Sequence, residues 1–119
     1  MKLLLTVDLL FEALTAAALI VVPELVVALV FSPDLPPEFA ALGRIAGIGL
    51  GIFVLGCWMG WRRGRQRAVR IVLLGYNIFA IVLLVAFGVL YAPIGPLLWP
   101  AVGIHVALTA ALALVAERR

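Results

Sequence analysis

Four apolar stretches, each about 20 residues long, occupy almost the whole of this 119-residue chain. A helix that rises ~1.5 Å per residue needs about 20 residues to cross a hydrocarbon core of ~30 Å. Hydrophobic residues make up 66% of the chain and the mean hydropathy is +1.27. A water-soluble domain of this size could not bury so much apolar surface. The sequence therefore predicts an integral membrane protein.

Prolines and charged residues separate the apolar stretches and set the predicted helix boundaries. We predict a single domain over 1–119 with membrane helices at about 3–22, 39–61, 68–91 and 97–115. Pro23 kinks or breaks the first helix, whose apolar character continues to Phe31. Because the loops are short, consecutive helices should be antiparallel. The predicted fold is an all-α, up-down-up-down four-helix transmembrane bundle.

The basic residues predict the orientation of this bundle. All of the nine except Arg44 lie at the ends of apolar stretches: Lys2, Arg62, Arg63, Arg65, Arg67, Arg70, Arg118 and Arg119. Four crossings place them on one side of the membrane, with Asp34 and Glu38 on the other. The positive-inside rule then predicts that both termini are cytoplasmic. The basic pI near 9.8 needs no nucleic acid partner; the lipid bilayer is the expected one.

The second predicted helix carries glycines at intervals of four, a pattern typical of close helix packing in membranes. They are Gly43, Gly47 and Gly51, followed by Gly56 and Gly60. This pattern predicts that the second helix lies at the centre of the bundle or at a dimer face, with a contact inside one chain favoured. Whether the chain works alone, as a homodimer or in a larger membrane complex stays open.

Arg44 is the one basic residue inside an apolar stretch and should need a counter-charge. Glu24 is the nearest acid in depth, on the extension of the first helix. We predict an Arg44–Glu24 ion pair that pins these helices together. Contact with an anion or a lipid headgroup is the alternative.

Polar side chains from three helices are predicted to meet in one layer near the middle of the membrane. Asp8, Glu12 and Thr15 share one face of the first helix. Counted inward from the cytoplasmic edge, Glu12 and Asn77 lie ~13 Å deep and His105 lies ~15 Å deep. Two interpretations stay open. The layer is either a structural clasp, in which Glu12 bonds Asn77 or His105, or a site for a ligand or a proton.

Other chemistry has little support in the sequence. Phosphate loops, nucleophile elbows and zinc-ligand spacings are missing, and Cys57 is the single cysteine. We therefore predict a protein that is not an enzyme and has no metal site. His105 could bind haem or a pigment, but no second axial ligand is evident. The cofactor, if the protein has one, stays unknown.

Several short motifs resemble a group of small uncharacterised bacterial membrane proteins whose four-helix layout is similar to that of DoxX-like proteins. The motifs are Leu10 to Glu12, Pro23, GRIAGIGL from Gly43, CW at Cys57, GYN from Gly75, and LLWPAVGIH from Leu97 to His105. The resemblance implies the four-helix fold and no particular reaction. The resemblance also supports the choice of Glu12, Asn77, His105 and Trp99 as candidate site residues, and the choice of Arg44. Tyr76, which lies within the GYN motif, completes the candidate site.

The membrane-embedded glutamate in the first helix also resembles one found in the small multidrug resistance exporters. The strong charge bias of this chain does not resemble the weak bias of those exporters. Our leading hypothesis is a non-enzymatic inner-membrane protein. It would be an accessory subunit or would bind an apolar small molecule of the quinone or lipid type at the polar layer. Proton-coupled transport of a small molecule through Glu12 is the first alternative, and haem or pigment binding through His105 is the second.

Overall fold

A computed structural model describes residues 1–117 of the chain, with side chains for 1–115. The described residues are helical apart from short connections: α1 (Lys2–Val21), α2 (Pro23–Val26), a π-helical turn (Val27–Phe31), α3 (Glu38–Arg62), α4 (Gln66–Leu90) and α5 (Leu98–Glu117). Four of these helices, α1, α3, α4 and α5, are long and apolar enough to cross a membrane. The predicted all-α, four-helix membrane architecture is confirmed. Arg118 and Arg119, predicted at the basic end, lie outside the described residues.

The first crossing is broken at Pro23, as the sequence predicts. Val22 leaves the helical conformation with φ −131° and ψ 57°, and Pro23 then begins α2. Proline suits this position because the first helical residue needs no N–H donor. After α2, the backbone N–H of Ser32 bonds to the carbonyl of Val27 at 3.0 Å, which closes a wider π-helical turn.

The loop before α5 satisfies carbonyl groups of that π-helical turn. The N–H groups of Gly95 and Leu97 bond to the carbonyls of Phe31 and Leu29, both at 2.8 Å. A β-carbon at Gly95 would overlap the backbone carbonyl of Leu29, so only glycine allows this approach. These two bonds tie the start of α5 to the end of the first crossing.

The helices pack as two close pairs, α1 with α3 and α4 with α5. Gly43 and Gly47 of α3 face the first crossing. A β-carbon at Gly47 would lie 2.6 Å from the β-carbon of Leu19 and 3.0 Å from the carbonyl oxygen of Ala16. The glycines therefore let two backbones of the same chain approach closely.

The other glycines of α3 have different surroundings, and α3 does not occupy the centre of the bundle. A β-carbon at Gly51 would make only ordinary contact with Ala16, and one at Gly60 would meet Val69. One at Gly56 would have no atom within 4 Å. Only three residues of α3 are buried: Gly47, Leu50 and Cys57. The helix lies at the edge of the bundle because most of its residues are not covered by neighbouring helices.

One end of the bundle is filled by an apolar core. Buried side chains from all four long helices meet there: Leu5, Leu9, Cys57, Val69, Leu73 and Leu112. This contact brings the start of α1, the end of α3, the start of α4 and the end of α5 to the same end, as an antiparallel bundle requires. The outer surface is also apolar, with Leu3 and Leu90 each 74% exposed. Such a surface suits lipid as the surrounding medium.

Candidate functional site

Two carboxyl groups lie inside the bundle on the inward face of α1. Asp8 and Glu12 are one turn apart and both have 0% exposure. Leu5, Leu9 and Ala16 are buried on the same helix, so the acids lie within its inward apolar stripe. The spacing of four residues, which makes the two acids candidates in the sequence, therefore also places both of them inside the bundle.

Asn77 of α4 is the centre of a hydrogen-bonded cluster. Its side-chain N–H₂ group donates to Asp8 Oδ2 at 2.9 Å and to the carbonyl of Leu73 at 2.9 Å. Its Oδ1 lies 2.7 Å from His105 Nδ1 on α5. Because Oδ1 can only accept, Nδ1 of His105 must be the nitrogen that carries the proton. One amide thus joins α1, α4 and α5.

Glu12 is bound to α4 by a different residue. Tyr76 donates its hydroxyl to Glu12 Oε2 at 3.0 Å. The other oxygen, Oε1, lies 3.7 Å from His105 Nδ1, which is too long for a hydrogen bond. Aromatic rings surround this contact: Phe53 stacks on Tyr76 with centroids 5.0 Å apart, and Phe11 meets the His105 ring edge-on at 5.7 Å. The cluster therefore has an apolar, aromatic wall.

Each carboxyl group uses only one of its two oxygens. Asp8 Oδ1 and Glu12 Oε1 are fully buried and have no hydrogen-bond partner among the described residues. Among the described residues, neither acid forms an ion pair with a lysine or an arginine. His105 Nε2 also makes no hydrogen bond to any described residue. Buried polar atoms without partners are costly, and an ionised carboxylate in a membrane interior is more so.

The structure brings together most of the predicted site and adds Asp8, Phe11 and Phe53 to it. The pairing differs from the predicted clasp, in which Glu12 bonds Asn77 or His105. Tyr76 and Asn77 are consecutive on α4 and point about 100° apart, so they reach different acids on α1. Asp8 shares the i, i+4 pattern with Glu12, whereas nothing in the sequence marked Phe53.

Trp99 is not part of the cluster. It lies in the first turn of α5, is 46% exposed, and packs beside Gly88 of α4. Six residues, or ~9 Å of helix, separate it from His105. The LLWP motif that suggested Trp99 begins the helix and does not line the polar layer.

The predicted Arg44–Glu24 ion pair is not formed. Both residues are exposed, and Arg44 Nε donates instead to the backbone carbonyl of Ile20 at 3.0 Å. The break at Val22 and Pro23 explains this contact, because it ends α1 and leaves its last carbonyls without helical partners. A cation is also favourable at a helix C-terminus. Arg44 therefore stabilises the end of α1 and needs no acid.

Comparisons with known protein families, with curated proteins and with solved structures give no match to this chain. The described residues contain no group of three or more His, Cys, Asp or Glu side chains that could hold a metal ion. Two shallow, open depressions lie at the basic end of the bundle, and no residue of the cluster lines them. The chemistry of the polar cluster is therefore the main guide to function.

Proposed function

We propose that this chain is a non-enzymatic membrane protein that binds the polar head of an apolar small molecule, of the quinone or lipid type, at the Asp8–Glu12–Tyr76–Asn77–His105 cluster. It acts alone, as a homodimer or as an accessory subunit of a larger membrane complex. The observation that carries the proposal is the pair of buried carboxyl oxygens without partners, Asp8 Oδ1 and Glu12 Oε1. A purely structural clasp would have no need of a second acid with an unused oxygen.

The atoms of the cluster that have no hydrogen-bond partner indicate which kind of head group would bind there. The donors of Tyr76 and Asn77 and the Nδ1 proton of His105 already have acceptors. What remains unused is two carboxyl oxygens and His105 Nε2. A ligand that donates hydrogen bonds, such as a quinol or a lipid hydroxyl, satisfies these atoms better than one that only accepts. The apolar part of the ligand would lie against Phe11 and Phe53.

The weaker packing between the two helix pairs is compatible with a ligand route to the cluster. Close packing occurs within the pairs α1–α3 and α4–α5, and contacts between the pairs are fewer. The cluster joins the pairs through side chains of α1, α4 and α5. A small separation of the pairs would open this interface to the acyl-chain region without disrupting either one.

The test is retention of small molecules by protein purified from a native membrane in mild detergent, measured by native mass spectrometry and by analysis of the extract. Glu12→Gln and His105→Ala should lose the ligand and keep the helical bundle. Thr15→Val is the matched control, because Thr15 lies on the same face of α1 but bonds only to the carbonyl of Phe11. Equal retention by all four proteins, or no ligand on the wild type, would contradict the proposal. Loss of folding in both cluster variants would favour the clasp.

A second candidate function is proton-coupled transport of a small molecule. It is favoured by two buried acids that pair with no lysine or arginine among the described residues, so that protons or a cationic substrate would balance their charge. In liposomes, a cationic substrate gradient should then drive proton flux that Glu12→Gln abolishes. Absence of flux over a broad panel of cations would exclude this candidate.

We further propose a bacterial inner membrane as the location, with both termini on the cytoplasmic side. Lys2 and the arginines of the turn between α3 and α4 share one end of the bundle, and Asp34 and Glu38 follow the first crossing at the other end. An asymmetry of this kind is typical of positive-inside insertion.

A further inference from the structure

A basic groove lies at the end of the bundle where α1 begins and α3 ends. An open depression of about 450 Å³ is lined by Lys2, Trp58, Trp61, Arg62, Gly64 and Gln66. A second one, of about 350 Å³, shares Trp58 and Arg62 with the first and adds Met59 and Arg63. Together they form one open surface lined by cationic side chains and indole rings, here called the basic groove. Residues of α1, α3, the following turn and the start of α4 converge on it.

The cations of the basic groove have no anionic partner within the described part of the chain. Lys2, Arg62 and Arg63 form neither an ion pair nor a side-chain hydrogen bond there. Arg44 and Arg70, by contrast, each donate to a backbone carbonyl. The guanidinium of Arg62 lies 5.4 Å from the centroid of the Trp58 ring, so one of its faces is held while its N–H edges stay free. A fixed guanidinium with free edges suits a phosphate group.

Two helix N-termini at this end lack an acidic residue in the first turn, and the C-termini of α3 and α5 at the same end offset part of their potential. α1 and α4 both begin at this end, and neither has a side-chain cap or an acidic residue in its first turn. At the opposite end, α2 and α3 carry Glu24 and Glu38 in their first turns. A helix N-terminus favours a negative charge. Among the described side chains, acidic first-turn residues lie at the opposite end of the bundle only, so an anion bound at the basic end would complement the N-termini of α1 and α4.

We infer that the basic groove binds the phosphate headgroup of an anionic phospholipid, with Arg62 and Lys2 contacting the phosphate and Trp58 lying against the upper part of the acyl chains. The source is lipid and not free phosphate because the groove adjoins apolar surface: Met59 lines it, and Leu55 and Leu3 are exposed on the same two helices. Basic pockets between membrane helices are known to suit such headgroups. This inference does not depend on the ligand of the polar cluster.

The test is competition between phosphatidylglycerol and phosphatidylcholine for the intact protein in nanodiscs, followed by native mass spectrometry of the lipids retained after detergent extraction. Wild type should retain phosphatidylglycerol preferentially. Arg62→Gln should weaken that preference about fivefold, and Lys2→Gln with Arg62→Gln more strongly. Arg67→Gln is the matched control, because Arg67 belongs to the same basic segment but does not line the groove. Inorganic phosphate should not displace the retained lipid.

Three results would overturn the inference. Equal losses for Arg62→Gln and Arg67→Gln would mean that the lipid responds to overall charge and not to the groove. Equal retention of the two lipids by wild type would remove the anion requirement. Displacement by inorganic phosphate would identify a free anion as the occupant.

Discussion

Asn77 determines how the three helices of the polar cluster are connected. Its amide satisfies Asp8 Oδ2 and His105 Nδ1 at the same time, and its second hydrogen bonds to Leu73 on its own helix. No other side chain in the described structure hydrogen-bonds to both α1 and α5. Removing the amide should therefore leave two buried partners unpaired at once.

Asn77→Leu should lower the free energy of unfolding by about 1–3 kcal/mol, because each buried group that loses its partner retains its desolvation cost. Unfolding in mixed micelles, followed by circular dichroism, measures this. Thr109→Val is the control: Thr109 bonds only to the carbonyl of His105, one turn back on α5, and its loss should change little. A loss below about 0.5 kcal/mol for Asn77→Leu would mean that the cluster is not holding the helices together.

The sequence predicts which polar residues meet but not how they pair. Helical spacing and depth bring Glu12, Asn77 and His105 to one layer, since both follow from a fixed rise per residue. The rotation of α4 about its axis decides whether Tyr76 or Asn77 faces a given acid, and neighbouring helices set that rotation. For the same reason, the aromatic contacts of Phe11 and Phe53 become visible only in the structure.

At the scale of helices, α3 shows that a row of glycines indicates close packing only where a neighbouring helix faces it. Gly43 and Gly47 meet the first crossing, whereas Gly49 and Gly56 face open space. The spacing of four correctly indicates a close approach, but it cannot say where the row ends. Similarly, Pro23 predicts a break in the first crossing, while the carbonyl contact of Arg44 depends on which groups the break leaves free.

Gly47→Ala should separate α1 from α3 and destabilise the protein by about 1–3 kcal/mol, since the added carbon would meet both Leu19 and the backbone of Ala16. Gly49→Ala, two residues away on the same helix, is the matched control. It has nothing within 4 Å and should be neutral or slightly stabilising, because alanine favours helix over glycine. Equal thermal unfolding temperatures for the two variants would contradict the close packing of this pair.

For the whole molecule, the apolar exterior and the antiparallel helices follow directly from the sequence, because lipid leaves few folds available to four apolar spans. The orientation stays a prediction. In a Cys57→Ser background, Gln66→Cys, at the start of α4 beside the basic turn, should react with a membrane-impermeant maleimide only after cells are opened. Asp34→Cys, in the first loop, should react in intact cells. The reverse pattern would place the basic end outside.

The polar cluster can be tested directly in lipid because the chain has a single histidine. Solid-state NMR of protein labelled at histidine, asparagine and glutamate, in bilayers, reports the protonated ring nitrogen and its neighbours. We predict a protonated Nδ1 that correlates with the side chain of Asn77 and lies near the Glu12 carboxyl. A His105 ring without either correlation, in contact with acyl chains or bulk water, would contradict a polar cluster at the interior of the bundle.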